Sequence, residues 1–247
     1  MTRLVNLDRS AHQGLRVLED RAFAVCSDSS MCLVTLNEIP RLVAEYPVVF
    51  TKSSGTAEFV CVALFGATPG QNVFWRDGRW DSYFMPLNVA RQPFSVGVAD
   101  NPAGGKTAKE LVTCIDLDNG AVQSDAGEAL FESNGEYSPY LRHKMNLLAD
   151  LVDGEQRTRQ FTAKLTELGL IHPIQLELKV SGQPPRKITG LNSIDEPKLR
   201  TLDVGVVTEL NSRGYLHAVY AMLSSLGHLQ IFARRALPGS ASPTANT

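Results

Sequence analysis

The chain has 247 residues, 43% of them hydrophobic, which is enough apolar surface to bury a core without disulfide or metal staples. Its 24 Lys and Arg against 26 Asp and Glu leave a formal net charge of −2, so it offers no basic footprint for a nucleic acid. The longest apolar run, Phe59 to Phe65, is far short of the ~20 residues that carry a helix across a bilayer, so no membrane span is expected.

The opening MTRLVNLDRSAHQG breaks its apolar residues with Arg3, Asn6, Asp8 and Arg9 and so lacks the apolar stretch of a secretory signal. The expected location is the cytoplasm. Cys26, Cys32, Cys61 and Cys114 are scattered through apolar segments without a CxxC pair or a histidine at metal-ligand spacing, and read as reduced core residues. From residue 23 to 133 the pattern is β-rich. Asn37-Glu-Ile-Pro40 predicts a short helix reaching Glu45, with Asn37 as cap and Pro40 in the first turn. Phe59 to Phe65, ended by Gly66, reads as a central strand covered on both faces. Val48–Phe50, Val73–Trp75, Phe94–Val98 and Leu111–Ile115 read as shorter strands. The links between them are short and rich in Gly, Pro and Asn, which favours antiparallel neighbours.

Residues 137 to 235 read as mainly helical with one hairpin. Ser138-Pro139 opens a helix whose stripe is Leu141, Met145, Leu148 and Val152. The stripe lapses over the polar stretch Gly154 to Arg159, where a kink or a solvent crossing is expected, then resumes at Phe161, Leu165 and Leu168 up to a Gly169 cap. Ile174 to Val180 alternates with period two, turns through Ser181–Pro185 and returns over Lys187–Leu191. A short helix from Asp195 and an apolar helix carrying Val219, Met222, Leu223, Leu226 and Leu229 follow. The tail 238–247 is small and polar and is expected to be disordered. Together these make one α+β domain, residues 1–237, in which an antiparallel β-sheet from the N-terminal half is packed by helices from the C-terminal half, with the 174–191 hairpin extending or flanking it.

Several motifs point to chemistry and are explained more simply by structure. Asn101-Pro-Ala-Gly-Gly-Lys-Thr107 resembles the end of a phosphate loop, yet Asp100 stands where its first glycine belongs. His12, His143, His172, His217 and His228 show no HxxxH, HxD or HxE step, and no GxSxG elbow occurs. No metal and no cofactor is expected. Asp195 and Glu196 suit a helix N-terminus. Asp116, at the end of a strand, suits either a turn or a bound cation or guanidinium. A denser mixture of rings and guanidiniums, Trp75, Arg79, Trp80, Tyr83, Arg91 and Phe94, has the composition of recognition hot spots, and equally that of a core hairpin with Arg stacked on Trp.

The runs GLNSIDEPKLRTL (Gly190 to Leu202) and GYLHAVYAMLSSLGHLQIFARR (Gly214 to Arg235) read as a family fingerprint of turn, cap and packing residues. With them go His12 and Leu15-Arg16, Glu45-Tyr-Pro-Val-Val-Phe50, Arg79-Trp80 with Tyr83, Pro86, Arg91 and Pro93-Phe94, Cys114-Ile-Asp116, Leu130-Phe131, Thr158 with Phe161, and Tyr220 to Leu226. On these residues the chain resembles the SapC family of bacterial proteins, nearly throughout its length to Arg235. His228, where relatives tend to carry Asn, and a longer glycine-rich insertion around Asn101 to Lys109 depart from that pattern.

The resemblance implies no established reaction. It implies an accessory role in handling nutrients or peptides, beside TonB-dependent receptors and tryptophan-halogenase-like flavoproteins, one of which is the implied protein partner; the family name itself refers to bacterial surface layers. The expected function is therefore a non-catalytic binding or accessory protein that presents the Arg79 to Phe94 region to a partner or small ligand. One rival is an enzyme, or an enzyme subunit, using Arg79, Arg91, Asp116 and His12 on a small anionic substrate. Another is a surface-layer component, which would require export.

Overall fold

The computed structural model describes residues 3–100, 109–178 and 186–229. The phosphate-loop look-alike at 101–107, the turn at 181–185 and the tail at 238–247 lie outside the described residues. The strands are β1 (Leu4–Asn6), β2 (Arg16–Val17), β3 (Met31–Leu33), β4 (Val48–Lys52), β5 (Phe59–Leu64), β6 (Trp75–Arg76), β7 (Arg79–Trp80) and β8 (Phe94–Asp100). They continue as β9 (Lys109–Asp116), β10 (Val122–Gln123), β11 (Glu128–Ala129), β12 (Ile171–Leu178) and β13 (Arg186–Ile194). The helices are α1 (Arg9–His12), α2 (Glu19–Ala22), α3 (Ile39–Leu42), α4 (Leu87–Ala90), α5 (Pro139–Glu167), α6 (Glu196–Leu199), α7 (Val204–Ser212) and α8 (Tyr215–Ser225). The architecture is α+β with antiparallel sheets, and the three longest helices belong to the C-terminal half.

The chain makes two compact units, each gathered from three stretches. The first takes Met1–Ser27, Trp75–Asp81 and Leu87–Asp153, and the second takes Asp28–Phe74, Ser82–Pro86 and Gly154–Thr247. In the first unit β9 is the central strand of the sheet β1-β9-β8, and β2 joins β10 and β11 in a smaller sheet. Gly97 of β8 leaves room for the buried Cys114 thiol, because a Cβ there would lie 2.5 Å from Cys114 Sγ and would have to displace it.

In the second unit five strands run in the order β12-β13-β4-β5-β3, so the C-terminal hairpin extends the sheet by pairing β13 with β4. Cys61 to Leu64 of β5 are buried in succession, as expected of a strand covered on both faces. Phe161 of α5 lies 6.2 Å from the Phe50 ring and 5.1 Å from Tyr215 of α8. Ser225 is fully buried, accepts the Val48 N–H at 2.9 Å and donates to Met222 O, so Ser225 is a close-packing point at the start of β4, while Ser224 is exposed and donates to Tyr220 O of its own helix.

Four local expectations are corrected. The N-terminal strands do not form one sheet: β3, β4 and β5 pair in the second unit, and β1, β8 and β9 in the first, because periodicity marks a strand and says nothing of its partner. Val73 and Phe74 are turn rather than strand, since Asn72 Oδ1 accepts the Phe74 N–H at 2.9 Å, and the strand begins at Trp75. Helix α3 is one turn long and does not reach Glu45; Glu38 occupies the cap position while its carboxylate accepts the Thr35 N–H and hydroxyl, both at 2.8 Å.

The last concerns α5, which runs unbroken for 29 residues. Its supposed solvent crossing buries Gly154 and Thr158. Thr158 Oγ1 donates to Gly154 O at 2.6 Å and accepts the Leu36 N–H at 2.7 Å. A Cβ on Gly154 would come within 2.7 Å of the Thr35 side chain. Leu151 rather than Val152 continues the buried stripe, the drift expected of a 3.6-residue period. The helix opens at Ser138, whose Oγ accepts the Leu141 N–H, and ends at Gly169 with φ +60°.

Candidate functional site

The loop Ser82–Pro86 in the second unit is held by two neighbouring residues of the Glu45-Tyr-Pro stretch. One oxygen of the Glu45 carboxylate accepts the Tyr83 N–H at 3.0 Å and the other the Phe84 N–H at 2.7 Å. Charge-assisted acceptance of two successive amides pins the backbone. The Tyr46 hydroxyl reaches Phe84 O at 2.9 Å and the Ser82 hydroxyl. Its own ring is fully buried, 4.3 Å from Phe74 and 5.7 Å from Phe65. A core residue therefore anchors a surface loop. On that loop the Tyr83 side chain is 87% exposed, with Phe84 edge-on at 4.9 Å.

The other sequence-selected residues lie in the first unit. Trp75 and Trp80 are cross-strand partners in the β6–β7 hairpin, both half-buried, over a turn made by Asp77 and Gly78, each with positive φ. Arg79 is exposed. Arg76, not Arg79, makes the local ion pair, with Asp81 at 3.9 Å. Arg91 is half-buried and turned inward, its Nε donating to Asn88 Oδ1 at 3.0 Å and its Nη1 to Phe94 O. Phe94 is fully buried, 6.3 Å from the Tyr140 ring.

Asp116 ends β9 and closes a turn, its Oδ1 accepting the Asp118 N–H at 3.1 Å. His12 is buried, and its Nδ1 accepts the Asp8 N–H at 2.9 Å while Asp8 Oδ1 accepts the Ala11 N–H. Both bonds satisfy amides at the N-terminal end of the one-turn helix, reciprocally as in a capping box. Asp116 and His12 thus have local structural partners, Arg91 and Phe94 support the backbone around β8, and Trp75, Arg79 and Trp80 share a hairpin.

Sequence reasoning missed Lys144. Its side chain is 1% exposed, and its ammonium donates to Glu19 Oε1 at 2.7 Å and to Ala90 O. The Phe23 and Tyr140 rings lie 5.5 and 5.3 Å away. The Tyr140 hydroxyl donates to the other Glu19 oxygen at 2.6 Å. Burial lowers the Lys144 pKa although Glu19 pulls the other way, and burial followed by the Glu19 hydrogen bond and charge raises that of Tyr140. Tyr140 is therefore a proton-keeping donor rather than a base. The available signal was spacing: Lys144 falls three residues after Leu141 and four before Leu148, on the apolar stripe itself.

Among the described residues no group of three or more His, Cys, Asp or Glu is placed to hold a metal ion, and no helix is long and apolar enough to cross a membrane. Cys61 and Cys114 are buried and Cys26 and Cys32 half-buried. No curated protein and no solved structure matches the chain. A protein-family match described as SapC covers residues 7–231, most of the sequence and all the motifs that carry the resemblance from His12 to Leu226, and the chain belongs to the SapC family.

Proposed function

We propose that this SapC protein is a non-catalytic, cytoplasmic binding or accessory protein whose contact region includes the loop that carries Tyr83. The observation that supports this most directly is the pairing of an 87% exposed tyrosine with a backbone fixed by Glu45 and Tyr46. Tyrosine offers a large contact area at small entropic cost, and a fixed backbone lowers that cost further. The role follows the family's association with nutrient and peptide handling, and a tryptophan-halogenase-like flavoprotein is the first partner to try.

The test is native mass spectrometry of the full chain purified gently from its own host. The expected result is a co-purifying protein that is lost in Tyr83→Ala while the melting temperature stays unchanged, because an 87% exposed ring contributes little to the fold. Retention of the same partner by Tyr83→Ala would remove the loop from the interface. A tightly held small molecule that the chain converts to a product would overturn the non-catalytic reading.

A further inference from the structure

A groove of about 850 Å³ opens in the second unit between the turn that joins β4 to β5 and the last turns of α5. Its volume is in the range of small-molecule sites. Phe59, half-buried, supplies apolar surface, and Ala57 and Ala163 add only methyl groups. The turn that forms one wall is hydrogen-bonded across itself, Ser53 N–H to Glu58 O at 2.8 Å and Ala57 N–H to Ser53 O at 3.0 Å. The opposite wall is helix and is fixed by its own backbone.

Charge decides what such a groove accepts. Lys52 and Arg159 both line it, and among the described residues neither makes an ion pair. The Lys52 ammonium rests 5.6 Å from the Phe59 ring centroid, which keeps it beside the apolar surface. Of the two acids in the lining, Glu167 belongs to a balanced group of charges, Lys164 lying 3.4 Å from it and 3.1 Å from Glu209, whose other oxygen is 3.1 Å from Arg213, and Glu58 remains. The available charge is two cations against one carboxylate. A guanidinium fork favours a planar oxyanion that takes two hydrogen bonds.

We propose that this groove binds a small organic carboxylate, its head on Arg159 and Lys52 and its apolar body on Phe59. The site does not involve Tyr83 and stands or falls apart from the accessory-protein reading. Its charged groups are exposed, so binding is screened by salt and is best read at low ionic strength.

The experiment is an amide NMR titration of the full chain with 3-phenylpropionate, using 3-phenylpropionamide as the uncharged control. Saturable shifts are expected at Ala57, Phe59 and Ala163, with the amide binding about tenfold more weakly. Arg159→Gln should weaken 3-phenylpropionate about tenfold, and Glu58→Gln should tighten it by removing the opposing charge. Both positions are exposed, so the fold survives the changes. Equal binding of acid and amide, indifference to Arg159→Gln, or no saturable shift at those amides would overturn the proposal. Weaker binding in Glu58→Gln would also overturn it, since that result belongs to a zwitterion.

Discussion

Lys144 shows how a single residue can be both costly and necessary. An ammonium that is 1% exposed gives up most of its hydration, and Glu19, 40% exposed, returns part of it as a short ion pair. Glu19→Gln is expected to destabilise the protein by about 2–3 kcal/mol, less than the ~3–5 kcal/mol of a fully buried pair because Glu19 itself keeps water contact. Lys144→Met combined with Glu19→Gln should return to within about 1 kcal/mol of wild type, because the uncompensated cation is then gone and Gln can still accept from Tyr140. Urea denaturation of the single and double variants checks this, and a Glu19→Gln loss under about 0.5 kcal/mol would mean that the ammonium is hydrated after all.

Cys61 illustrates the same desolvation on an acid. Burial pushes its thiol well above 9.0, so the folded state keeps a proton that the unfolded state releases. With a raised folded pKa, the contribution is fully present below pH 9.0 and is lost as pH rises beyond it. Stability above that pH should fall by about 1.4 kcal/mol per pH unit from this group alone. Cys61→Ala should flatten the alkaline slope by that amount in denaturation curves taken from pH 8 to about 10.5. Lys144, with its pKa lowered from 10.5, acts in the opposite direction and drops out of the comparison because both proteins carry it.

At the scale of elements, α5 was legible as a helix and illegible as a packing surface. Gly154 to Arg159 is polar on a helical wheel, and nothing local distinguishes a wetted face from one that buries glycine and threonine against another segment. The tertiary contact decides: Gly154 leaves room for Thr35, and Thr158 satisfies the Leu36 N–H. Helix propensity alone says that Gly154→Ala stabilises by about 1 kcal/mol. The packing reverses the sign, and a net loss of about 1–3 kcal/mol is expected in thermal unfolding. Adding Thr35→Gly should recover part of it, although the Glu38 acceptor then loses the Thr35 hydroxyl. The hairpin β12–β13 was equally plain from its period-two pattern, whereas its neighbour β4 lies more than a hundred residues earlier and only the fold identifies it.

For the whole molecule, the two units are interleaved along the chain, and neither is a continuous stretch that could be excised. We propose on that ground that residues 1–237 form one domain. Scanning calorimetry should give one transition with equal calorimetric and van't Hoff enthalpies; two separable transitions would make the units independent domains.

What the sequence alone determined was whatever depends on neighbours along the chain: the strands β4, β5, β8 and β9, the β12–β13 hairpin, helix starts at Ser138 and Asp195, the Gly169 stop and family membership through its fingerprint. Of the candidate site, it selected Tyr83 and the Trp75 to Trp80 hairpin by residue type. It could not tell that Phe94 is core, that Asp116 and His12 close turns and caps, or that Glu45 holds the Tyr83 loop from 38 residues away. Those outcomes belonged to the tertiary structure, because burial and hydrogen-bond partnership are set by groups that meet only after the chain has folded, and the same side chain serves as anchor, cap or contact according to what it meets.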